Sequence, residues 1–298
     1  MDSVRSIPAF ATHAGFVRRR AARPTAREWA RHTALFLATA LTVTWAWLVL
    51  GVPAGEVPEP ALAWPSTLLE YVLFVPTYYV QWMGALFAYA LAHPAFIAEG
   101  ATFAGALLSI LLAHESGHYV ACRLYGVNAT LPFFIPVPPP FLLGTFGAFI
   151  AEGLLIFNDP PLLRLLAALT GLKDLPNIAP NPFHIAAWVG LLVTSLNLLP
   201  VGQLDGGHAV YAVFGKRVHR HTGRVAFIST LALAPLGWLW HGAPSGFVYA
   251  VLLFVMLRMR HPEVGDETEP LGRARLIVAA LTLLVFLLSF TAFPLTIR

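Results

Sequence analysis

Charge is scarce in this sequence of 298 residues, because Asp, Glu, Lys and Arg together make up only 11% of it. Soluble domains carry about 25% of these residues, so the composition disfavours a water-soluble globular protein. Cysteine is scarcer still, with Cys122 as the single example. One thiol excludes a disulfide within the chain and a metal site built from several thiolates. We interpret Cys122 as a small buried apolar side chain.

Apolar residues are abundant and make up 57% of the chain. They fall into seven runs, several of which are long enough to cross the roughly 30 Å hydrocarbon core of a bilayer as helices. The runs cover residues 34–52, 67–91, 101–124, 184–199, 225–240, 247–257 and 276–290. This pattern predicts an all-α polytopic membrane protein with six or seven transmembrane helices.

Basic residues lie in short segments beside these runs. The strongest block is in residues 1–33, which we interpret as a basic cytoplasmic tail before an uncleaved first span, with a cleaved signal peptide as the alternative. Lys216, Arg217, Arg220 and Arg224 are predicted to form a basic loop. Lys and Arg concentrate on the cytoplasmic side of membrane proteins, so we expect a cytoplasmic N-terminus. The same placement disfavours nucleic acid as a partner.

Residues 131–150 combine prolines, glycines and large apolar side chains. Five prolines between positions 132 and 140 exclude a helix, and Gly144-Thr145-Phe146-Gly147 follows them. The segment is too apolar for an ordinary surface loop. Irregular backbone at membrane depth must be buried in protein or line a water-filled cavity, so the sequence predicts a re-entrant hairpin.

The run 101–124 contains His114-Glu115-Ser116-Gly117-His118. On a helix, His114 and His118 lie one turn apart on the same face, so both imidazoles can bind one tetrahedral zinc ion. Glu115 projects about 100° away, where its carboxylate can take a proton from a zinc-bound water. A structural cluster is the alternative, but ionisable residues inside a span usually serve a function. The motif therefore predicts a catalytic zinc site with Glu115 as its base.

A catalytic zinc site also needs a third protein ligand. Asp205 is the favoured candidate, because it follows an apolar run and precedes Gly206-Gly207, which allow neighbouring backbone to approach closely. The alternative role of Asp205 is that of a helix N-cap. His208 is a rival ligand one turn further along, for which we favour a supporting or structural role.

These residues together resemble the site-2 protease family of intramembrane zinc metalloproteases. The resemblance rests on three motifs in family order, which are His114-Glu115-x-x-His118, Gly144-Thr145-Phe146-Gly147, and Asn197-Leu198-Leu199-Pro200 followed by Leu204-Asp205-Gly206. It implies that His114, His118 and Asp205 bind zinc, that Glu115 activates water, and that Asn197 lies near the active site. It also implies that the partner is a substrate protein whose membrane-spanning helix is cut within the bilayer.

The hydrogen bonds of a helix shield its peptide bonds, so such a substrate must unwind before hydrolysis. A strand edge beside the zinc can hold the unwound segment by β-augmentation, and residues 131–147 are our candidate for it. Asn197 is a candidate donor to the developing oxyanion. Its alternative role is an interhelical hydrogen bond that holds the bundle together.

One departure from the family pattern lies between Gly147 and Phe183, where family members normally carry a further membrane helix. Here the chain has a short apolar stretch, Asn158-Asp159-Pro160-Pro161, and a short amphipathic piece. If every apolar run crosses once, the run 101–124 that carries His114 and the run 184–199 that leads to Asp205 are antiparallel. A shared depth for the ligands is easier in parallel helices, and the sequence leaves this open.

We therefore divide the chain into a basic cytoplasmic tail (1–33), N-terminal transmembrane segments (34–100), a zinc-protease membrane core (101–215) and C-terminal transmembrane segments (216–298). The leading hypothesis is a metalloendopeptidase with one zinc ion per chain in a prokaryotic inner membrane. A catalytically impaired relative that binds membrane helices without cleavage, and a metal or proton transporter, are the alternatives. Retention of Glu115 favours the enzyme.

Overall fold

The computed structural model describes residues 23–53, 55–124, 129–136, 155–171, 181–243, 245–259 and 272–297. These residues are mostly helical. The helices are α1 (Ala26–Gly51), α2 (Leu68–Ala92), α3 (Pro94–Leu124), α4 (Pro161–Thr170), α5 (Pro182–Asn197), α6 (Asp205–His241), α7 (Ser245–Arg258) and α8 (Arg273–Ser289). Two short strands, β1 (Leu155–Phe157) and β2 (Leu295–Ile297), form an antiparallel pair.

Helix starts follow from local sequence. Thr25 caps α1, because its hydroxyl accepts a hydrogen bond from the Glu28 amide while the Glu28 carboxylate accepts one from the Thr25 amide. The break between α2 and α3 falls at His93-Pro94. Proline lacks the amide hydrogen that an uninterrupted helix needs but fits the first position of a new one.

Three helices, α1, α3 and α6, are long and apolar enough to cross a membrane. Their outward faces carry large apolar side chains, such as Leu41 at 73% exposure and Leu239 at 77%. Soluble monomers rarely expose continuous apolar surface of this kind. The described residues are thus mostly helical and include three candidate membrane spans, which confirms the predicted helical membrane class at that level.

Helices α1 and α3 pack in an antiparallel pair. Gly100 on α3 lies so close to α1 that an added Cβ would be 2.9 Å from the Thr44 carbonyl oxygen, and a Cβ at Gly51 would be 3.3 Å from the Phe96 ring. Residue numbers therefore rise along α1 as they fall along α3. The start of α1 consequently lies beside the later turns of α3.

Helices α3 and α5 run parallel. Leu107 shares a buried cluster with Ile185, and a Cβ at Gly190 would lie 3.1 Å from the Ile110 side chain, so residue numbers rise together along the two helices. The antiparallel arrangement that single crossings would give is therefore wrong. The assumption that every apolar run crosses once fails, because the chain returns to the opposite end of α3 before α5 begins.

The end of the bundle where α5 begins is closed by β1 and β2, which the sequence analysis did not predict. The Asn158 side chain donates to the Phe293 carbonyl at 2.7 Å and to the Thr296 hydroxyl at 2.9 Å. Trp188 on α5 donates to the Asn158 carbonyl at 2.9 Å. These bonds attach the β pair to α5 at the end opposite its junction with α6.

The predicted basic loop at residues 216–224 is wrong, because these residues are helical within α6. The helix bends at Gly215, whose φ of 78° is a left-handed value that glycine tolerates. Beyond the bend, a ring nitrogen of His219 lies 3.0 Å from the Gly202 carbonyl oxygen. The basic segment therefore packs against the turn between α5 and α6.

Several predicted features lie wholly or partly outside the described residues. Of the re-entrant hairpin predicted over 131–150, only residues 131–136 are described, and they form neither helix nor strand. The Gly144–Gly147 motif and most of the basic tail lie outside the described ranges.

Substituting Gly100 tests the close contact between α1 and α3. We expect Gly100→Ala to lower the free energy of unfolding by about 1–3 kcal/mol, because the new methyl group must displace the α1 backbone. The melting temperature in detergent measures this. Gly105→Ala is the control, since a Cβ there meets no atom within 4 Å and alanine favours a helix. Equal melting temperatures for the two variants would contradict the packing.

Candidate metal centre

Three side chains from two helices converge on one point. The Nε2 atoms of His114 and His118 on α3 lie 3.2 Å apart. The Asp205 Oδ2 atom, on the first residue of α6, lies 3.3 Å from the His114 Nε2 and 3.2 Å from the His118 Nε2. Within the described part of the chain, this is the group of His, Cys, Asp and Glu side chains placed to hold a metal ion.

The size of this triangle fits a tetrahedral metal ion. Zinc binds imidazole nitrogen and carboxylate oxygen at about 2.0–2.1 Å, so adjacent ligand atoms around it lie about 3.3 Å apart. The three separations agree with that spacing, and two nitrogens with one oxygen are a ligand set that zinc accepts. The side chains are 28%, 52% and 31% exposed for His114, His118 and Asp205. The group is thus open on one side, as a catalytic site requires.

Asp205 reaches the histidines from a tight turn between α5 and α6. The turn is closed by backbone hydrogen bonds, including that of Val201 to the Leu199 carbonyl at 2.7 Å and that of Leu204 to the Val201 carbonyl at 3.2 Å. Leu204 occupies the N-cap position of α6. Asp205 is therefore not the N-cap, and its carboxylate is left to face α3 from the positive end of the helix dipole.

Gly206 and Gly207 allow this turn to close. A Cβ on Gly206 would overlap the Leu198 carbonyl oxygen, and a Cβ on Gly207 would lie 2.6 Å from the Gly202 carbonyl oxygen. No side chain fits in either place. The close backbone approach predicted for this glycine pair is confirmed, and it sets the position of the adjacent Asp205.

Glu115 follows His114 on α3 and is half-buried. Within the described residues its carboxylate forms no hydrogen bond or ion pair, so its proton-accepting oxygens are available. Asn197 is the last residue of α5 and is also half-buried. It precedes Leu198, whose carbonyl abuts Gly206, so its backbone lies close to the Asp205 turn. Among the described residues the Asn197 side chain has no hydrogen-bond partner.

His208 lies on the first turn of α6 and is exposed. It is not part of the converging group, so the structure favours Asp205 over this rival. The sequence analysis missed His219, which contacts the carbonyl of Gly202. That contact spans the bend at Gly215, and no local sequence signal indicates it.

Comparison with known proteins bears on the same residues. Residues 167–235 match the model of peptidase family M50. The chain carries an M50 domain. This confirms the resemblance to site-2 proteases. The matched residues include Asn197 and Asp205 but end short of His114 and His118, which the fold brings to Asp205 from outside the matched range.

Several proteins similar to this chain come from plants. The chain is 30% identical over 253 residues to "Probable zinc metalloprotease EGY1, chloroplastic" of Oryza sativa subsp. japonica, covering 67% of this chain and 42% of that protein. It is 29% identical over 248 residues to the Arabidopsis thaliana protein of the same name, covering 65% and 43%. The chain thus spans less than half the length of these relatives. No solved structure matches it.

The glycine pair offers a test of the metal centre. We expect Gly206→Ala to displace the start of α6 and to carry Asp205 away from the histidines, so that bound metal per chain falls severalfold or more. Elemental analysis of the purified protein measures this. Gly117→Ala lies between the two histidines, but its Cβ meets no atom within 4 Å, so it should retain metal. Full metal content in Gly206→Ala would show that the turn does not position Asp205.

Proposed function

We propose that this protein is an intramembrane zinc metalloendopeptidase that hydrolyses peptide bonds within or near transmembrane helices of substrate proteins. The convergence of His114, His118 and Asp205 at 3.2–3.3 Å, with Glu115 beside them, carries the proposal. The M50 match and the relatives named zinc metalloproteases support it.

In this proposal His114, His118 and Asp205 would hold one zinc ion, which would act as a Lewis acid and lower the pKa of a water bound to it to about 7. The Glu115 carboxylate accepts a proton from the attacking water and delivers a proton to the nitrogen of the departing peptide segment. Hydroxide adds to the carbonyl carbon, and the carbon–nitrogen bond breaks. The side chain of Asn197, at the end of α5, is proposed to donate to the oxyanion that forms on the carbonyl oxygen.

The unwound substrate is proposed to lie along residues 131–147 by β-augmentation, with 131–150 as a re-entrant hairpin. The described portion, residues 131–136, supports this assignment because it forms neither helix nor strand. Phe133 and Ile135 there are 45% and 65% exposed. Exposed apolar side chains on a backbone that pairs with no other described strand suit an apolar peptide in extended form.

The metal-centre end of the bundle is proposed to face the cytoplasm. The start of α1, with exposed Arg27 and Arg31, lies beside the later turns of α3. The basic segment 216–224 packs near the same end, against the α5–α6 turn. Glu56 and Glu59 follow the other end of α1. This asymmetry supports a cytoplasmic N-terminus under the positive-inside rule. Six or seven crossings in all and a prokaryotic inner membrane as the location complete the proposal.

Residues 101–215 are proposed to form the protease core. Residues 1–33 are proposed to be the basic cytoplasmic tail, and residues 34–100 and 216–298 the flanking transmembrane segments. The bend at Gly215 coincides with the end of this core. No observation favours the transporter or the catalytically impaired relative.

Separating metal binding from proton transfer tests the mechanism. We expect Glu115→Gln to keep one zinc ion per chain but to lose cleavage of a model transmembrane substrate by about 100-fold or more, because the amide cannot accept the proton. His114→Ala and Asp205→Ala should lose both zinc and cleavage. Zinc by elemental analysis and cleavage by gel electrophoresis in detergent or liposomes measure the two properties.

His208→Ala is the matched control for the ligand variants, and it should retain zinc. Cleavage by Glu115→Gln at the wild-type rate would contradict the mechanism. Wild-type protein that does not retain zinc under metal-replete conditions would contradict the metal centre.

Labelling of engineered cysteines tests the orientation. In a Cys122→Ser background, we expect Glu59→Cys to react with a membrane-impermeant thiol reagent on intact cells and Arg27→Cys to react only in inverted vesicles. Both positions are exposed. The reverse pattern would contradict the proposed orientation.

A further inference from the structure

The first turns of α1 lie at the depth of the metal centre. Thr44 pairs with Gly100 in the antiparallel packing of α1 and α3. His32 lies twelve residues before Thr44 on α1, and Leu112 lies twelve residues after Gly100 on α3. Because both helices rise by the same distance per residue, His32 lies near the turn of α3 that carries His114. The described part of α1 supplies no metal ligand, yet its start lies at the depth of the site.

This part of α1 contacts residues 132–134 through four separate interactions. The Nδ1 of His32 lies 2.9 Å from the Pro132 carbonyl oxygen, and its ring packs edge-on against Phe133 at 5.4 Å. The Arg31 guanidinium lies 5.5 Å from the centre of the same Phe133 ring. The Phe36 ring packs edge-on against Phe134 at 5.3 Å.

Side-chain contacts are important here, because residues 131–136 form no strand pairing with any other described part of the chain. Among the described residues none of their backbone groups bonds to another backbone group. Pro132 and Pro136 have no amide hydrogen to offer. The imidazole–carbonyl bond from His32 is the one hydrogen bond seen to hold this backbone within the described parts of the chain. Within the described residues, α1 therefore supplies the hydrogen bond and the ring contacts that hold residues 132–134.

The same bond decides which backbone groups remain for a ligand. His32 donates to Pro132 and occupies its carbonyl from the α1 side. The amides and carbonyls of Phe133 and Ile135 have no backbone partner among the described residues and can pair with a peptide, and both side chains are exposed. An extended apolar peptide can pair with such an edge, because main-chain hydrogen bonds supply affinity and the exposed side chains supply apolar contact.

We infer that His32 is a positioning residue for substrate, which fixes residues 131–136 on α1 as the docking edge for the unwound transmembrane peptide. The inference rests on the proposed protease function and assigns α1 to the substrate-binding apparatus. His32 touches neither the metal ligands nor the scissile bond. It acts through Pro132, so its loss weakens substrate binding and leaves the chemistry intact.

Kinetics distinguish this role from a purely structural one. We expect His32→Ala to raise KM for a model transmembrane substrate by about three- to tenfold, the effect of one lost hydrogen bond, with kcat and zinc content near wild type. His32→Asn should restore KM, because its amide nitrogen can donate from close to the Nδ1 position. Phe36→Leu, which loses the contact to Phe134, should raise KM by about twofold or more.

His93→Ala is the matched control. The His93 Nδ1 lies 2.9 Å from the Tyr89 carbonyl oxygen, so the same kind of bond is lost at the other end of α3. Its KM should not change. An unchanged KM in His32→Ala, or a fall in kcat and zinc content without a rise in KM, would overturn the inference.

Crosslinking gives a readout that does not need turnover. A photoreactive residue at Ile135 in the Glu115→Gln protein should crosslink to the substrate, and His32→Ala should reduce the yield by about three- to tenfold. A probe at Val80, which is 66% exposed on α2, should give no crosslink. If the wild type cleaves the substrate in a Glu115-dependent way but position 135 gives no crosslink, the inference is overturned while the proposed function stands. Absence of both zinc and cleavage in the wild type would instead overturn the proposed function.

Discussion

The rest of the site depends on one close contact. The α5–α6 turn packs directly against Gly206 and Gly207, the two residues that follow Asp205. The carbonyl oxygens of Leu198 and Gly202 lie where side chains at Gly206 and Gly207 would be. This closes the turn so tightly that Asp205 emerges directly beside α3. The parallel packing of α3 and α5 then brings the end of α5 to the depth of His114 and His118. Neither feature alone would bring the three ligand atoms within 3.3 Å.

Charge balance explains why such a site can exist in an apolar bundle. Unpaired charges are expensive at membrane depth, and ion pairs lower that penalty only when their geometry is good. Two ionised carboxylates, on Asp205 and Glu115, would bring two negative charges, which a bound zinc ion would neutralise. The neutral imidazoles add ligands without adding charge. The proposed holo site is thus neutral overall, whereas two carboxylates alone would repel each other.

Much of this site follows from local sequence, and the rest requires tertiary structure. Three short-range signals are in the sequence. They are the spacing of His114 and His118, the position of Glu115 beside them, and the glycine pair at 206–207 that allows close backbone approach. The structure brings Asp205 to the histidines as expected. The direction of α5 relative to α3 is a long-range property, and no count of apolar runs supplies it. The helix through residues 216–224 was missed because charge density suggested a loop, whereas those residues pack on the α5–α6 turn. The pairing of β1 with β2 joins segments about 140 residues apart, beyond any local pattern.

Zinc K-edge X-ray absorption on the purified wild-type protein tests the central claim most directly, because it reports the ligands of the metal. The account predicts four nitrogen or oxygen ligands at about 2.0–2.1 Å, with outer-shell scattering from two imidazoles that falls to one in His118→Ala. A sulfur ligand at about 2.3 Å, or an imidazole count that the His118 substitution leaves unchanged, would contradict it.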